Sequence, residues 1–446
     1  MQTAPATSAL PPVGLAGSPA TALDETYRRI TWRLIPFLFA LWVLAWVDRV
    51  NVGFVKLTML DELGWSEAIY GLGAGIFFLG YFFFEVPSNL LLQRIGARKT
   101  IARITLGWGV VCVWMMFTSS PTMFYVLRFL MGVFEAGFYP GVILYLTYWF
   151  PSERRAKAFG MFMSASAVAG MIGGPLAGSI MNGLHGVNGW SGWQWVFLIE
   201  GVPSILAAGV TWWYLTDRPS QAQWLSAAQR KLVEDDLARD AAALGPRESS
   251  LLGSLKEGRL WLLILVFFCV IAANSSLTFF GPTVVKEAGF TNPATVGWIM
   301  SISYLFGAIG MVANGLHSDR GNEARLHCAV AAALGALGLV LTAVFLKSHP
   351  TLALVAQTLA IVGTMSAIPV FWQLPGRFLA GAAAAGGVAL INSIANLAGF
   401  GAPFMLGIIK TQTGGLAPGL LIVAAVEVCA TVLILLFIPR FARKVA

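Results

Sequence analysis

Residues 89–99, NLLLQRIGARK, and residues 315–325, GLHSDRGNEAR, decide the fold, because each is a basic break directly behind a long apolar run. Arg94 and Arg320 stand 226 positions apart. Upstream, Gly71 and Gly297 share that offset, and Gly80 and Gly307 differ by 227. Further along, SAVAGMIGGP (166–175) and IANLAGFGAP (394–403) are separated by 228. Four landmarks in one order argue for a duplicated unit. Around them, apolar runs of about 20 residues, enough to cross a bilayer as helices, recur near 34–57, 69–92, 101–118, 122–148, 158–182, 194–215, 260–284, 294–316, 326–346, 350–373, 380–409 and 417–438. The pattern predicts an all-α membrane protein of twelve transmembrane helices, built as two parallel six-helix repeats. Such halves place a substrate site between them near the membrane midplane.

Composition agrees. Of 446 residues, 57% are hydrophobic and 11% charged, against roughly 25% charged in a soluble domain, and the mean hydropathy is +0.74. The 48 Gly and 16 Trp suit close helix packing and membrane interfaces. A soluble enzyme, a secreted disulfide scaffold and a nucleic-acid binder are excluded. Cys112, Cys269, Cys328 and Cys429 lie in or beside apolar runs without CxxC spacing, and the four His are scattered. No metal site and no cofactor is expected.

The expected organisation is a disordered cytoplasmic tail over 1–25, an N-terminal six-helix bundle over 26–215, a cytoplasmic linker over 216–259 and a C-terminal bundle over 260–446. The tail is rich in Pro, Ala, Thr and Ser and has neither the basic start nor the apolar run of a secretory signal. Within the linker, QAQWLSAAQRKLVEDDLARD predicts an amphipathic surface helix. With the N-terminus in the cytoplasm, 23 of the 29 Lys and Arg fall on cytoplasmic segments. Only Lys56, Lys286, Lys347 and Lys410 fall on the opposite face. The bias predicts a multi-pass cytoplasmic (inner) membrane protein with both termini inside, and the net charge of +8 records orientation without any nucleic-acid partner.

A charge in the middle of a span costs about 2.5–3.5 kcal/mol, so the few that occur are functional candidates. Asp48 and Arg49 are neighbours in LAWVDRVNVGF, and neighbours on a helix point about 100° apart. Either they neutralise one another and pack span 1, or a proton-accepting Asp stands beside a substrate-facing Arg. Arg128 and Glu135, seven apart in span 4, share a face about 10 Å apart along the axis. Each therefore needs another partner. An Arg fork suits a carboxylate, and an acid in such a place can exchange a proton. Tyr81 and Glu85 share a face of span 2, while Glu200 and Glu427 read as structural. Asn392, Ser393 and Asn396 bring polar groups at helical spacing to span 11; such amides serve as interhelical glue or as ligands.

At these residues the sequence resembles the major facilitator superfamily. GLHSDRGNEAR is similar to its G-x-x-x-D-R loop, through Gly315, Asp319 and Arg320, whereas the first copy departs from it with Asn89 and Gln93. SNLLLQRIGARK, WVDRVNVGF, RFLMGVFEAGFYPG, GWQWVFLIEGVP and LTFFGPTVVKEAGF resemble the anion:cation symporter branch, over essentially 26–440. The resemblance implies no enzyme but proton-coupled symport of a small organic anion, such as tartrate or a sugar acid, by alternating access. By position it makes Asp48 and Glu135 the proton-coupling acids, and Arg49, Arg128, Tyr81 and Asn396 substrate contacts, to which the polar spacing on span 11 adds Asn392. Arg94, Arg98, Asp319 and Arg320 become the gating loops, with Glu153, Arg154 and Arg155 expected to compensate for the lost first-half Asp. The expected partners are the organic acid, protons and the lipid bilayer, around a monomer. Alternatives are an aromatic-acid permease of the phthalate or hydroxyphenylacetate type and an efflux antiporter on the same fold. A sensor is disfavoured by the short central segment, and an enzyme by the absence of any nucleophile–base pair or phosphate loop.

Overall fold

The computed structural model describes residues 19–244, 258–375 and 382–439, and these are helical without a strand. In the first half, α1 (Pro19–Val50) and α2 (Val52–Leu63) make span 1, broken at Asn51. Then follow α3 (Glu67–Ile95), α4 (Ala97–Met115), α5 (Pro121–Glu135) with α6 (Phe138–Thr147), α7 (Ser152–Met163) with α8 (Ala165–Gly183), and α9 (Gly192–Tyr214). After the linker helix α10 (Ala227–Leu244) come α11 (Gly258–Glu287), α12 (Pro293–Gly321), α13 (Ala324–Phe345), α14 (Pro350–Phe371), α15 (Ala382–Asn396) with α16 (Ala398–Thr413), and α17 (Ala417–Phe437). Among the described residues, eleven helical stretches are long and apolar enough to cross a membrane. The remaining one, α4, has 19 residues with Arg98, Lys99 and Arg103 in its first two turns. The protein is a twelve-span all-α membrane protein, six spans on each side of the linker.

Helix starts follow local chemistry. Ser66 accepts from Ile69 N at the head of α3, and Ser120 caps α5 ahead of Pro121. Two starts differ from expectation. Residues 19–25, expected within the tail, open α1, where the Tyr27 hydroxyl donates to Asp236 Oδ2 at 2.9 Å and ties α1 to α10; residues 1–18 of the expected tail lie outside the described residues. The linker helix starts at Ala227, after a short turn at Pro219–Gln221, because Ser226 and Gln229 cap each other's backbone N–H. Arg247, Lys256, Arg377, Arg440, Arg443 and Lys444, counted for orientation, lie outside the described residues.

The repeat landmarks meet in space. A Cβ on Gly71 of α3 would lie 2.5 Å from the Pro403 carbonyl of α16, and one on Gly297 of α12 would collide with the Gly174 carbonyl of α8. Spans 2 and 11, and spans 5 and 8, thus press together as two equivalent seams, each with the glycine landmark on one side and the Gly-Pro landmark on the other. A shared core of Phe54, Tyr70, Phe77, Phe279 and Phe280 joins the halves, and each half keeps a core of its own.

Candidate functional site

The α3 helix serves as a ruler, at 1.5 Å per residue, from Glu67 at one end to Arg94 at the other. At the Glu67 end the halves are tied by charge. Lys410 Nζ lies 2.7 Å from Glu67 Oε1 and 3.1 Å from Glu287 Oε1. Lys56 Nζ lies 2.8 Å from Glu67 Oε2, over the rings of Tyr70 and Phe280. Lys286 Nζ donates to Leu57 O and Asp61 Oδ2 at 2.7 and 3.0 Å. These residues line a cavity of about 460 Å³. Three of the four lysines expected on the far face thus converge on one network. Sequence reasoning had located them but had not paired them.

The two arginines meet about halfway along α3. The Arg49 guanidinium lies 5.2–5.6 Å from the ring centroids of Trp42, Trp46, Phe77 and Tyr81, and its Nε donates to Glu135 Oε1 at 2.8 Å. Arg128 lies 5.1 Å from the same Phe77 ring. Arg49, Arg128, Glu135 and Tyr81 are therefore brought together. The break that ends α5 follows from Ala136 in an extended conformation and Gly137 at φ +86°, which only glycine adopts readily; it leaves Glu135 at the helix terminus, facing α1.

Arg128 is wholly buried. Its Nε donates to Gly73 O at 3.3 Å and Nη1 reaches Met131 Sδ at 3.4 Å, while Nη2 has no hydrogen-bond partner among the described residues. A buried cation without a carboxylate is costly and invites an anion.

Asp48 does not join this group. Its carboxylate accepts from Ser204 Oγ at 2.6 Å and from Cys112 Sγ at 3.3 Å, on the α4–α9 side, so Asp48 and Arg49 do not neutralise one another. Asn392 is also elsewhere. With Ser393 it donates to the two oxygens of Glu85, at 3.3 and 3.0 Å, a clasp between α15 and α3 on the Arg94 side of the arginines. Asn396 ends α15 at the break of span 11, half-buried, with no side-chain hydrogen bond among the described residues. The site is closed at both ends, by lysines on one side and by Glu85 on the other.

The loops behave unequally. Asp319 accepts from Gln373 Nε2 at 2.9 Å, and Ser318 donates to Gln373 Oε1 at 3.2 Å. Arg320 and Arg94 are exposed. In the first half, where Gln93 replaces the acid, Asp217 beyond α9 accepts from Arg98 N at 2.7 Å and caps α4. Glu153, Arg154 and Arg155 do not take this place: Arg154 pairs with Asp24 and Arg155 with Asp240. Asp217 is a residue that sequence reasoning missed.

Comparison with known proteins agrees with this architecture. The family model described as Major Facilitator Superfamily matches residues 37–403. A protein of Agrobacterium vitis named as a tartrate transporter is 43% identical over 94% of this chain and 96% of its own. A quinolone resistance transporter of Acinetobacter baumannii is 41% identical over the same shares. Among solved structures, that of a D-xylose-proton symporter superposes with a TM-score of 0.73 at 15% identity, covering 92% of this chain and 98% of the other. This chain belongs to the Major Facilitator Superfamily.

Proposed function

We propose that the protein imports a small organic anion such as tartrate or a sugar acid together with protons, by alternating access, as a monomer in the inner membrane with both termini in the cytoplasm. The observation that carries this reading is an imbalance of charge, two central arginines with one acid that pairs with only one of them. Glu135 holds Arg49, and Arg128 keeps a buried guanidinium nitrogen without a partner. Carboxylates on the substrate match both forks.

Protonation is the switch. A proton on Glu135 cancels its charge and releases Arg49, and the substrate carboxylate then binds Arg49 and Arg128 between the halves. With the site neutralised, the lysine network forms on one face while the Glu85 clasp opens on the other. Loss of the proton lets Glu135 reclaim Arg49 and expels the anion. Asp48 takes and releases its proton inside the first half, beside α9. Tyr81 and the rings around Arg49 exclude water, and Asp319, Arg320, Arg94 and Arg98 order the loops that move.

Uptake of labelled tartrate by proteoliposomes under an imposed pH gradient tests this. Accumulation is expected only with the outside acidic, and Arg128→Ala is expected to abolish it; proton-independent accumulation refutes the reading. The Acinetobacter relative, named for quinolone resistance, favours a second reading, export by antiport. Loading the vesicles with fluoroquinolone and following its release in the same gradient separates the two. The four rings at Arg49 make an aromatic acid the other substrate class for the same panel.

A further inference from the structure

A second carboxyl group stands beside Asp48, away from the arginines. Asn51 donates its amide to Glu200 Oε2 at 3.0 Å and approaches Cys112 Sγ at 3.7 Å, while Cys112 donates to Asp48. Asp48, Asn51 and Glu200 are 1%, 2% and 3% exposed. Two oxygens in this group, Glu200 Oε1 and Asn51 Oδ1, have no donor among the described residues. Among the described residues no Lys or Arg pairs with either acid. Arg49 is held by Glu135 of α5, the other acid whose field reaches Asp48. Among the described residues, α4 brings the Cys112 thiol and the Trp108 indole, whose Nε1 has no hydrogen-bond partner, and α9 brings Glu200, Ser204 and the Phe197 carbonyl, which accepts from Cys112 Sγ at 3.7 Å.

The duplication supplies a comparison. Glu427 stands 227 positions after Glu200, within the spread of the repeat, and is equally buried, with Thr364 donating to Oε1 at 3.1 Å and Oε2 left without a partner. No second acid acts on it among the described residues, and the positions that correspond to Asp48 and Asn51 are Ser275 and Thr278. Two unpaired carboxylates in one dry volume repel each other and lose their hydration. One proton relieves both costs, and on Glu200 it turns the unpartnered Oε1 into a donor.

We propose that Asp48 and Glu200 form a single shared proton site bridged by Asn51 and Cys112, so that Glu200 is a second proton-holding residue of the transporter, whereas Glu427 stays neutral as a packing group. The inference rests on the symport reading in taking Asp48 as a coupling acid. The proton passes between the carboxyl oxygens and water, and no other bond is made or broken.

Infrared difference spectra of the protein in liposomes over a pH series detect protonated carboxyl groups and need no substrate. Besides the band of Glu135, the wild type is expected to show two carboxyl bands that titrate in coupled steps. Glu200→Gln is expected to delete one band and leave the other as a single step; Asp48→Asn, which keeps Glu200 in place should Glu200→Gln not fold, is expected to do the reciprocal. Glu427→Gln is expected to delete only a band that never titrates. Unchanged titrating bands in Glu200→Gln, or a Glu200 step unaffected by Asp48→Asn, overturn the shared site. Tartrate uptake by the same liposomes is scored separately: wild-type uptake that ignores the pH gradient refutes symport, while the infrared series still decides the shared site.

Discussion

Glu135→Gln is the substitution on which the proton switch stands or falls. In the structure Glu135 holds Arg49 through a bond from Nε at 2.8 Å and a second from the terminal nitrogen, and on the proposed reading the substrate must displace it. Both side chains are shielded, at 13% and 2% exposure, so solvent does little to screen the pair. Hydrogen bonds to a charged group contribute about 1.5–3 kcal/mol, which corresponds to about 10- to 150-fold in affinity. The sign follows from which form of Glu135 competes. Its ionised form holds Arg49, so wild-type affinity for an organic anion is highest at acid pH and falls as the proton is lost. Glu135→Gln cannot ionise. At mildly alkaline pH it is expected to bind tartrate about 10- to 150-fold more tightly than wild type, with little change between acid and alkaline conditions. Concentrative uptake should disappear, because the site no longer releases the anion. Titration calorimetry on purified protein at two pH values measures the affinities. An unchanged pH slope, or no gain at alkaline pH, refutes the competition.

Three further perturbations address the closures around the site. Gly297→Val forces a side chain against the Gly174 carbonyl, at a cost of about 1–3 kcal/mol felt where the seam is closed; labelling of a cysteine at Leu60 should rise about 5- to 150-fold, and unchanged labelling would contradict the seam. Lys410→Met removes the bridge between Glu67 and Glu287; the same labelling should increase severalfold, and in wild type it should increase with salt, since screening weakens such pairs. Glu85→Ala frees Asn392 and Ser393, so spin labels at Gln93 and Arg320 should show a larger population of long distances, and a distribution identical to wild type would remove Glu85 from the closure.

The fold was legible because lipid simplifies the code: twelve apolar runs and one linker follow from hydropathy, and the offset of the landmarks follows from duplication. Those landmarks proved physical as well as formal, since Gly71 lies on Pro403 and Gly297 on Gly174. The candidate site was legible by residue and illegible by partner. Helical geometry separates the directions of Asp48 and Arg49 but cannot say that one finds Ser204, 156 positions away, and the other Glu135, 86 away. Both choices depend on how helices pack, which intrahelical periodicity does not encode. The first-half loop gives the clearest case. The repeat predicts an acid where Gln93 stands, and its absence pointed to the nearby charges of α7. The need itself belongs to α4, whose first turn presents backbone N–H groups that require an acceptor. Any carboxylate that reaches them will serve, and Asp217 does so from the far end of α9. The intact copy divides these tasks, since Asp319 meets Gln373 while Glu323 caps α13, so Asp217 supplies the cap and not the contact that the motif acid makes.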